Sequence, residues 1–565
     1  MGADVVLPPL GSTDIADGEA VVCYPYGVGH GQEGVSLGLS IGPHRILLDC
    51  GVEDLASLVH GPPPAAVFYS HAHDDHGRGL SLLLQRWPQL PIYATAATVA
   101  LMANRSLANS IRPLPWRIPV AVADNLTLEL WPAGHLPGAA CALLTYTQGA
   151  KRYRLFYTGD CFLSSTRLVE GFPLAALRGL NPDVLITEGS LGTARYPNRR
   201  QQENQLIERL RSHLDQSRCV VFPVPLIGLG QELLMLWRSH YQFTGQPLTI
   251  WVDPALARTC DAYLELLDQM PAAFPRNVQN FAQHQSIFWD DRIYPTIKRL
   301  PQLPTDGLPI ADGPIGTLQA PAVLLVHPAT PVALYCERYR GSWSVFLPEQ
   351  ANLRAWQAQI NPHGPPYDWF DSFKNATPSG TVQLETYQLY DHCDGDGTTQ
   401  LIHNLRPRHV VLIHGKLDHL TALANLDSLQ SRYQVHIPLP GNPLSLRLDT
   451  AFASPPPPRE PTFEGTVNES LDQVSLRLPP TLTTDVRWQS FAETGIIEAR
   501  WQGENLVLRG VDPSELANIT NRLAPDRAVC DNCRFYRQRS CQQSRSPLFG
   551  RLVAPDGHCP EFVVR

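Results

Sequence analysis

Residues 70–77 read Ser70-His71-Ala72-His73-Asp74-Asp75-His76-Gly77 and follow directly on the apolar run Ala65–Tyr69. Imidazole nitrogens and carboxylate oxygens are the donors that a borderline divalent ion takes. Alternation along an extended segment puts His71 and His73 on one side, while Asp75 and His76 can turn toward a second ion nearby. The motif holds no thiolate, which suits zinc or a similar ion at an open catalytic position. A second, softer donor set stands near the C-terminus: Cys530-Asp531-Asn532-Cys533, then Cys541 and Cys559. Four thiolates can hold a structural zinc ion or a [4Fe–4S] cluster. The spacing leaves both open, since zinc ribbons more often present two CxxC pairs, and Phe535 and Phe562 stand near enough to shield a cluster.

These residues need elements to hold them. Up to about residue 195 the chain alternates short β runs, turns and helical stretches; Arg45–Leu48, Ala65–Tyr69, Arg154–Tyr157 and Val184–Thr187 have the apolar character of buried strands. Over 196–385 the pattern changes. Gln201–Gln216 and Gly230–Tyr241 read as helices, and Cys219–Val224 and Leu248–Val252 as strands, so this part is expected to be an α/β domain of its own. A strand at His409–Ile413 returns to the first style within 386–450. A Pro-rich stretch at 451–463 reads as a linker, and 464–565 as a small β-rich unit carrying the four cysteines.

Composition narrows the class. With 565 residues the chain exceeds one hydrophobic core. Hydrophobic residues at 43% and charged residues at 17% describe a globular protein rather than a disordered one. The formal charge of −8 argues against sequence-independent nucleic-acid binding by the whole surface, though not against a local arginine-lined groove; only Lys151, Lys298, Lys374 and Lys416 are lysines. The first 25 residues lack the charged and apolar pattern of a secretory signal, and no run reaches membrane-spanning length. Eight scattered cysteines then suggest reduced thiols and a cytoplasmic location.

The run His71-Ala72-His73-Asp74-Asp75-His76 resembles the HxHxDH signature of the metallo-β-lactamase superfamily, and the superfamily's other motifs follow in order. Arg45–Gly51 resembles the first motif through Asp49, which the resemblance makes an outer partner that orients metal ligands. Pro132–Ala140 resembles the third through His135, and Leu155–Asp160 the fourth through Asp160, the carboxylate that bridges two metals. The resemblance implies an αββα sandwich with two metals at one edge of its sheets.

Three further segments point to the β-CASP branch of nucleases. Val184–Gly192 resembles its motif A at Glu188, Asp391-His392-Cys393-Asp394 its motif B, and Val410–Gly415 its motif C at His414. The 22-residue interval between His392 and His414 is similar to that of RNA-cutting members, as is a histidine at motif C. Phe222–Leu234 resembles the strand-to-helix segment of the inserted domain. The expected fold is therefore α/β: a metallo-β-lactamase sandwich, an inserted β-CASP α/β domain and a small C-terminal Cys-rich extension.

The resemblance implies that His71, His73 and His135 hold one zinc, that Asp75, His76 and His414 hold the other, and that Asp160 bridges them; manganese is an alternative metal. The ions would generate a hydroxide that attacks phosphorus in line. His392 would protonate the leaving oxygen or contact the scissile phosphate, oriented by Glu188. RNA is the expected substrate, 5′-phosphate and 3′-hydroxyl ends the expected products, and a homodimer is open. Two departures stand out. Lys416 replaces the acidic residue many relatives carry, and Leu324–Thr330 lacks the Ser- and Gly-rich pattern of a substrate loop. They keep alternatives in play: hydrolysis of DNA or of a small ester or phosphodiester, and a metal-bound scaffold without catalysis.

Overall fold

The computed structural model describes residues 20–300 except 32, 60 and 103, residues 320–349 except 329 and 331–340, and residues 382–448. Beyond these it describes 465–469, 474–484, 487–492, 495, 497–502, 505–510, 533–537, 540–546, 549 and 563. The expected linker at 451–463 and two of the four clustered cysteines, Cys530 and Cys559, lie outside them.

Two seven-stranded sheets form a sandwich. In the first, the strands run in the order Leu444–Arg447, Ala20–Val28, Val35–Ile41, His44–Leu48, Ala66–Phe68, Ile92–Ala94 and Ile111–Pro113. In the second the order is Gln434–His436, His409–Ile413, Val184–Glu188, Lys151–Tyr157, Ala140–Gln148, Leu126–Pro132 and Val120–Ala123. The apolar runs foreseen in the sequence are these strands, and their burial explains why they lack a polar face. Val184 and Ile186 pack between the sheets, whereas Leu185 points to the outer core against helices; Val411 and Ile413 repeat the inward choice, Val410 and Leu412 the outward one. A strand covered on both sides reads as continuously apolar.

Strand direction then decides where the polar residues emerge. Lys151–Tyr157, Val184–Glu188 and His409–Ile413 are mutually parallel, so Asp160, Glu188 and His414 leave the second sheet at one edge. His44–Leu48 and Ala66–Phe68 are parallel too, which brings Asp49 and His71 out together. The sheets are stitched there: His414 N–H donates to the Val28 carbonyl at 2.7 Å, Gly415 N–H to Gly29 at 2.9 Å, and Ala140 N–H to Ser70 at 3.0 Å.

Between Glu188 and His392 the chain builds a six-stranded, all-parallel sheet in the order Thr296–Arg299, Thr249–Val252, Ala322–Val326, Cys219–Pro223, Trp343–Pro348 and Val382–Tyr387. Its helices include Arg199–Asp215, capped by the Asn198 side chain, and Pro254–Gln269, which starts with proline behind an Asp253 cap. This inserted layer shares a core with the helices outside the second sheet: Leu206, Phe222 and Trp237 belong to the same buried cluster as Phe156 and Leu412. Residues 1–486 and 487–565 form two compact units. The second unit shows two hairpins, Ile497–Gln502 with Asn505–Gly510 and Tyr536–Arg537 with Ser540–Cys541, and Cys533 and Cys541 are buried in it. No helix among the described residues is long and apolar enough to cross a membrane.

One close approach fixes the His-rich turn against the first sheet. An added Cβ at Gly51 would stand 1.7 Å from the Asp75 carbonyl oxygen, and Cys50 N–H already donates to the His76 carbonyl at 2.9 Å. Gly51→Ala must therefore displace the turn that carries Asp75 and His76. We expect it to lower unfolding free energy by about 3 kcal/mol, measured by urea denaturation.

Candidate metal centre

After the strand Ala66–Phe68 the chain bends at Ala72, is extended at His73 and then turns into a short helix at Asp74–Gly77. The switch sends the first two histidines one way and the pair Asp75, His76 another. Around them converge Asp49, His135, Asp160, Glu188, His392 and His414, each leaving the end of a strand or the loop behind it. Asp49 and His414 both take left-handed backbone, at φ 54° and 49°. Aspartate and histidine are among the non-glycine residues that take that conformation most readily.

Four overlapping groups of donors result among the described residues; two of them include His392, with Glu188 or with Asp391, and two do not. His71, His73, His135 and Asp160 offer ligand atoms within 4.8 Å of one another, and so do Asp75, His76 and His414. Asp160 lies between the two: its Oδ2 is 3.5 Å from His71 Nε2 and its Oδ1 is 3.3 Å from His76 Nε2. In the first group Nε2 of His71 and Nε2 of His135 approach Nδ1 of His73 to 3.1 and 3.2 Å. In the second, His414 Nε2 is 3.4 Å from Asp75 Oδ2.

Outer partners decide which nitrogen faces inward. Asp49 is fully buried and accepts from Ser70 N–H at 2.7 Å and from the Tyr157 hydroxyl at 2.6 Å. A carboxylate only accepts, so His76 Nδ1, 2.7 Å from Asp49 Oδ2, carries a proton and leaves Nε2 as the ligand nitrogen. The Ser70 hydroxyl also donates to Asp49 Oδ2, at 2.8 Å, and therefore accepts from His71 Nδ1 at 3.0 Å. His135 Nδ1 donates to the Asp391 carbonyl at 3.0 Å. His73 is reversed: Nδ1 faces the cluster and Nε2 meets the Ile227 carbonyl of the inserted layer at 3.4 Å.

The donor set fits two divalent ions. Nε2 of His76 and Oδ1 of Asp160 are buried without a hydrogen-bond partner, and three lone-pair nitrogens crowd one point. Burial, with the charge of His76, pushes the His71 imidazole well below its usual range; burial and His135 bring His73 to about 4. Neutral imidazole is the form that binds metal. At His76 and His414 burial acts the same way, but the facing carboxylates, Asp160 foremost, reverse it and lift both rings above the usual imidazole range. An ion taken there must displace a proton from each. Burial alone would raise the carboxyls of Asp75 and Asp160, but the facing imidazoles of His76 and His414 outweigh it and hold both well below the ordinary carboxylate range.

Beside the ligands stands a different kind of histidine. His392 lies 4.7 Å from His135 by ring centroids, and its Nδ1 donates to Glu188 Oε2 at 2.8 Å. Glu188 Oε1 accepts from Cys161 N–H at 2.7 Å, and Oε2 also accepts from the Ser190 hydroxyl. Burial would lower His392; the Glu188 carboxylate reverses that and lifts it well above the usual imidazole value. All the candidate residues of the first compact unit thus meet at one edge. Of the four clustered cysteines, Cys533 and Cys541 are among the described residues, and both are buried. Sequence reading missed Tyr157, Ser190 and the carbonyls of Ile227 and Asp391. Tyr157 had one available signal, its place as the last inward residue of a strand ending in the Asp160 loop.

A family profile described as a β-lactamase superfamily domain matches residues 44–220, and one described as a Zn-dependent metallo-hydrolase RNA specificity domain matches 382–438. An uncharacterized protein of Synechocystis sp. is 43% identical over 559 residues, 95% of this chain and 96% of that protein. A probable RNase of Methanocaldococcus jannaschii is 30% identical over 228 residues, 35% of this chain and 51% of its own length. A ribonuclease of Thermus thermophilus is 28% identical over 294 residues, 47% of this chain and 65% of its own. The chain thus spans half to two thirds of these two ribonucleases. With the motifs in order, the ligands at one sheet edge and the inserted sheet between Glu188 and His392, the chain belongs to the β-CASP branch of the metallo-β-lactamase superfamily.

Proposed function

We propose that this chain hydrolyses RNA phosphodiester bonds, leaving 5′-phosphate and 3′-hydroxyl ends. The observation that carries the proposal is the buried Glu188 carboxylate accepting from His392 Nδ1 at 2.8 Å beside side chains that could hold metal ions. His71, His73 and His135 would hold one ion, Asp75, His76 and His414 the other, with Asp160 shared; zinc is the expected metal and manganese an alternative. Ions bound there supply an acidified water and neutralise charge on the phosphate oxygens. The chain's own part in the chemistry falls to His392. Nδ1–H is engaged by Glu188, so the proton it can transfer sits on Nε2. It goes to the 3′ oxygen as the phosphorus–oxygen bond breaks and the water oxygen bonds to phosphorus. The RNA specificity profile matched over 382–438 spans His392 and His414, and the ribonuclease names of the two relatives support the same substrate.

The test is cleavage of end-labelled 5′-monophosphate RNA against matched single-stranded DNA, with zinc or manganese present. RNA should be cut in preference to DNA. His392→Ala should lower the rate ~10²–10⁴-fold while metal content stays unchanged, and His73→Ala should lose both activity and metal. Intact RNA after incubation with a chain carrying two ions would overturn the proposal.

Asp49 is proposed to act through the ligands it holds rather than on substrate. Tyr157→Phe removes one donor to that buried carboxylate. We expect a loss of about 1.5–3 kcal/mol in stability and ~10-fold or more in metal affinity, read by thermal unfolding and equilibrium dialysis. For the C-terminal unit we infer a structural zinc or a [4Fe–4S] cluster on Cys530, Cys533, Cys541 and Cys559. Elemental analysis should then find zinc beyond two ions per chain, or iron with visible absorbance; neither would remove the inference.

A further inference from the structure

Ser190, two residues beyond Glu188, stands between the two histidines on which the proposed reaction depends. We propose that Ser190 is a positioning residue that sets His414 for the second ion by carrying the hold of Glu188 across to it; this rests on the two-ion reading above. Ser190 Oγ has one proton and three acceptors in reach: Glu188 Oε2 at short range, His414 Nδ1 at 2.8 Å and the His414 carbonyl at 3.0 Å. The carboxylate oxygen is the nearest and the strongest acceptor, so it takes the proton. His414 Nδ1 can then bond the same oxygen only by donating its own proton. In the neutral ring that leaves Nε2 as the lone-pair nitrogen, the atom 3.4 Å from Asp75 Oδ2, while the protonated Nδ1 also faces Asp160 Oδ1 at 3.5 Å.

Glu188 Oε2 receives the Nδ1 proton of His392 as well. One carboxylate oxygen therefore orders both rings, the acid directly and the ligand through a single hydroxyl. Ser190 cannot readily turn away. Its carbonyl meets His419 Nδ1 at 3.1 Å, and the preceding Gly189 N–H donates to the Ile413 carbonyl at 2.9 Å. His414 is equally fixed by its left-handed backbone and by its N–H bond to the Val28 carbonyl.

The test is equilibrium dialysis of zinc against the full chain, Ser190→Ala and Ser190→Thr, with nitrogen-15 NMR of the histidine rings in the zinc-loaded proteins. Wild type should take two ions at this edge. Ser190→Ala should bind the second ~10–100-fold more weakly and leave the first unchanged. Its His414 ring should lose the single Nδ1–H signature for a mixture, and Ser190→Thr, which keeps the hydroxyl, should restore both. Unchanged affinity and ring signature in Ser190→Ala overturn the proposal, and so does a wild-type chain that takes only one ion at this edge. Zinc binding is read without RNA. A chain that behaves as expected here yet leaves RNA whole would remove the nuclease reading and keep this one.

Discussion

Three imidazole nitrogens from His71, His73 and His135 meet at 3.1 and 3.2 Å, and the surrounding structure exists to keep them facing one another. Left alone, such rings would rotate to place a proton between two of them or to reach solvent. Each is prevented by a partner on its far side. Ser70 and Asp49 hold His71 and His76, the Asp391 carbonyl holds His135, and the Ile227 carbonyl stands behind His73. The outer partners come from both sheets and from the inserted layer, so the ligand geometry is a property of the assembled fold rather than of the His-rich loop. The Tyr157 hydroxyl on Asp49 joins the two sheets at this same edge.

The two carboxylates behind the site divide the work. Asp49 is enclosed by four donors and holds His76 directly and His71 through Ser70. Glu188 is bonded on both oxygens but has His392, whose side chain keeps 18% of its exposure, on one of them. A buried carboxylate against a partly exposed imidazole leaves a ring that solvent can reach, whereas a buried carboxylate against buried imidazoles makes a rigid cradle.

Much of this was legible in the sequence because strand ends and motif residues coincide. Val184–Thr187 and His409–Ile413 could be recognised as strands from their apolar runs, and the residues just beyond them, Glu188 and His414, then had to emerge at a sheet edge. The order of Asp49, His71, His135 and Asp160 added the rest. What stayed hidden was of two kinds. The Ile227 and Asp391 carbonyls have no side-chain identity, so no residue type announces them. Ser190 and Tyr157 have an identity, but a hydroxyl near a turn and a tyrosine in a strand are too common to carry meaning until the register places them beside His414 and Asp49. The helical turn at Asp74–Gly77 was likewise a matter of packing, set by the contact between Gly51 and Asp75.

The insertion has a consequence for how the protein comes into being. Everything from Asp49 to Asp160 is made early, yet His392 and His414 follow the six-stranded inserted sheet, and the strand that carries His414 sits inside the second sheet beside Val184–Glu188. Until that segment has been synthesised and has come home, Glu188 lacks His392, Asp75 lacks His414 and Val184–Glu188 lacks its parallel neighbour. Synthesis runs in one direction at a finite pace, and contacts so distant along the chain form last. A chain still being synthesised therefore carries six of the seven donor residues and waits for the return segment to bring His392 and His414.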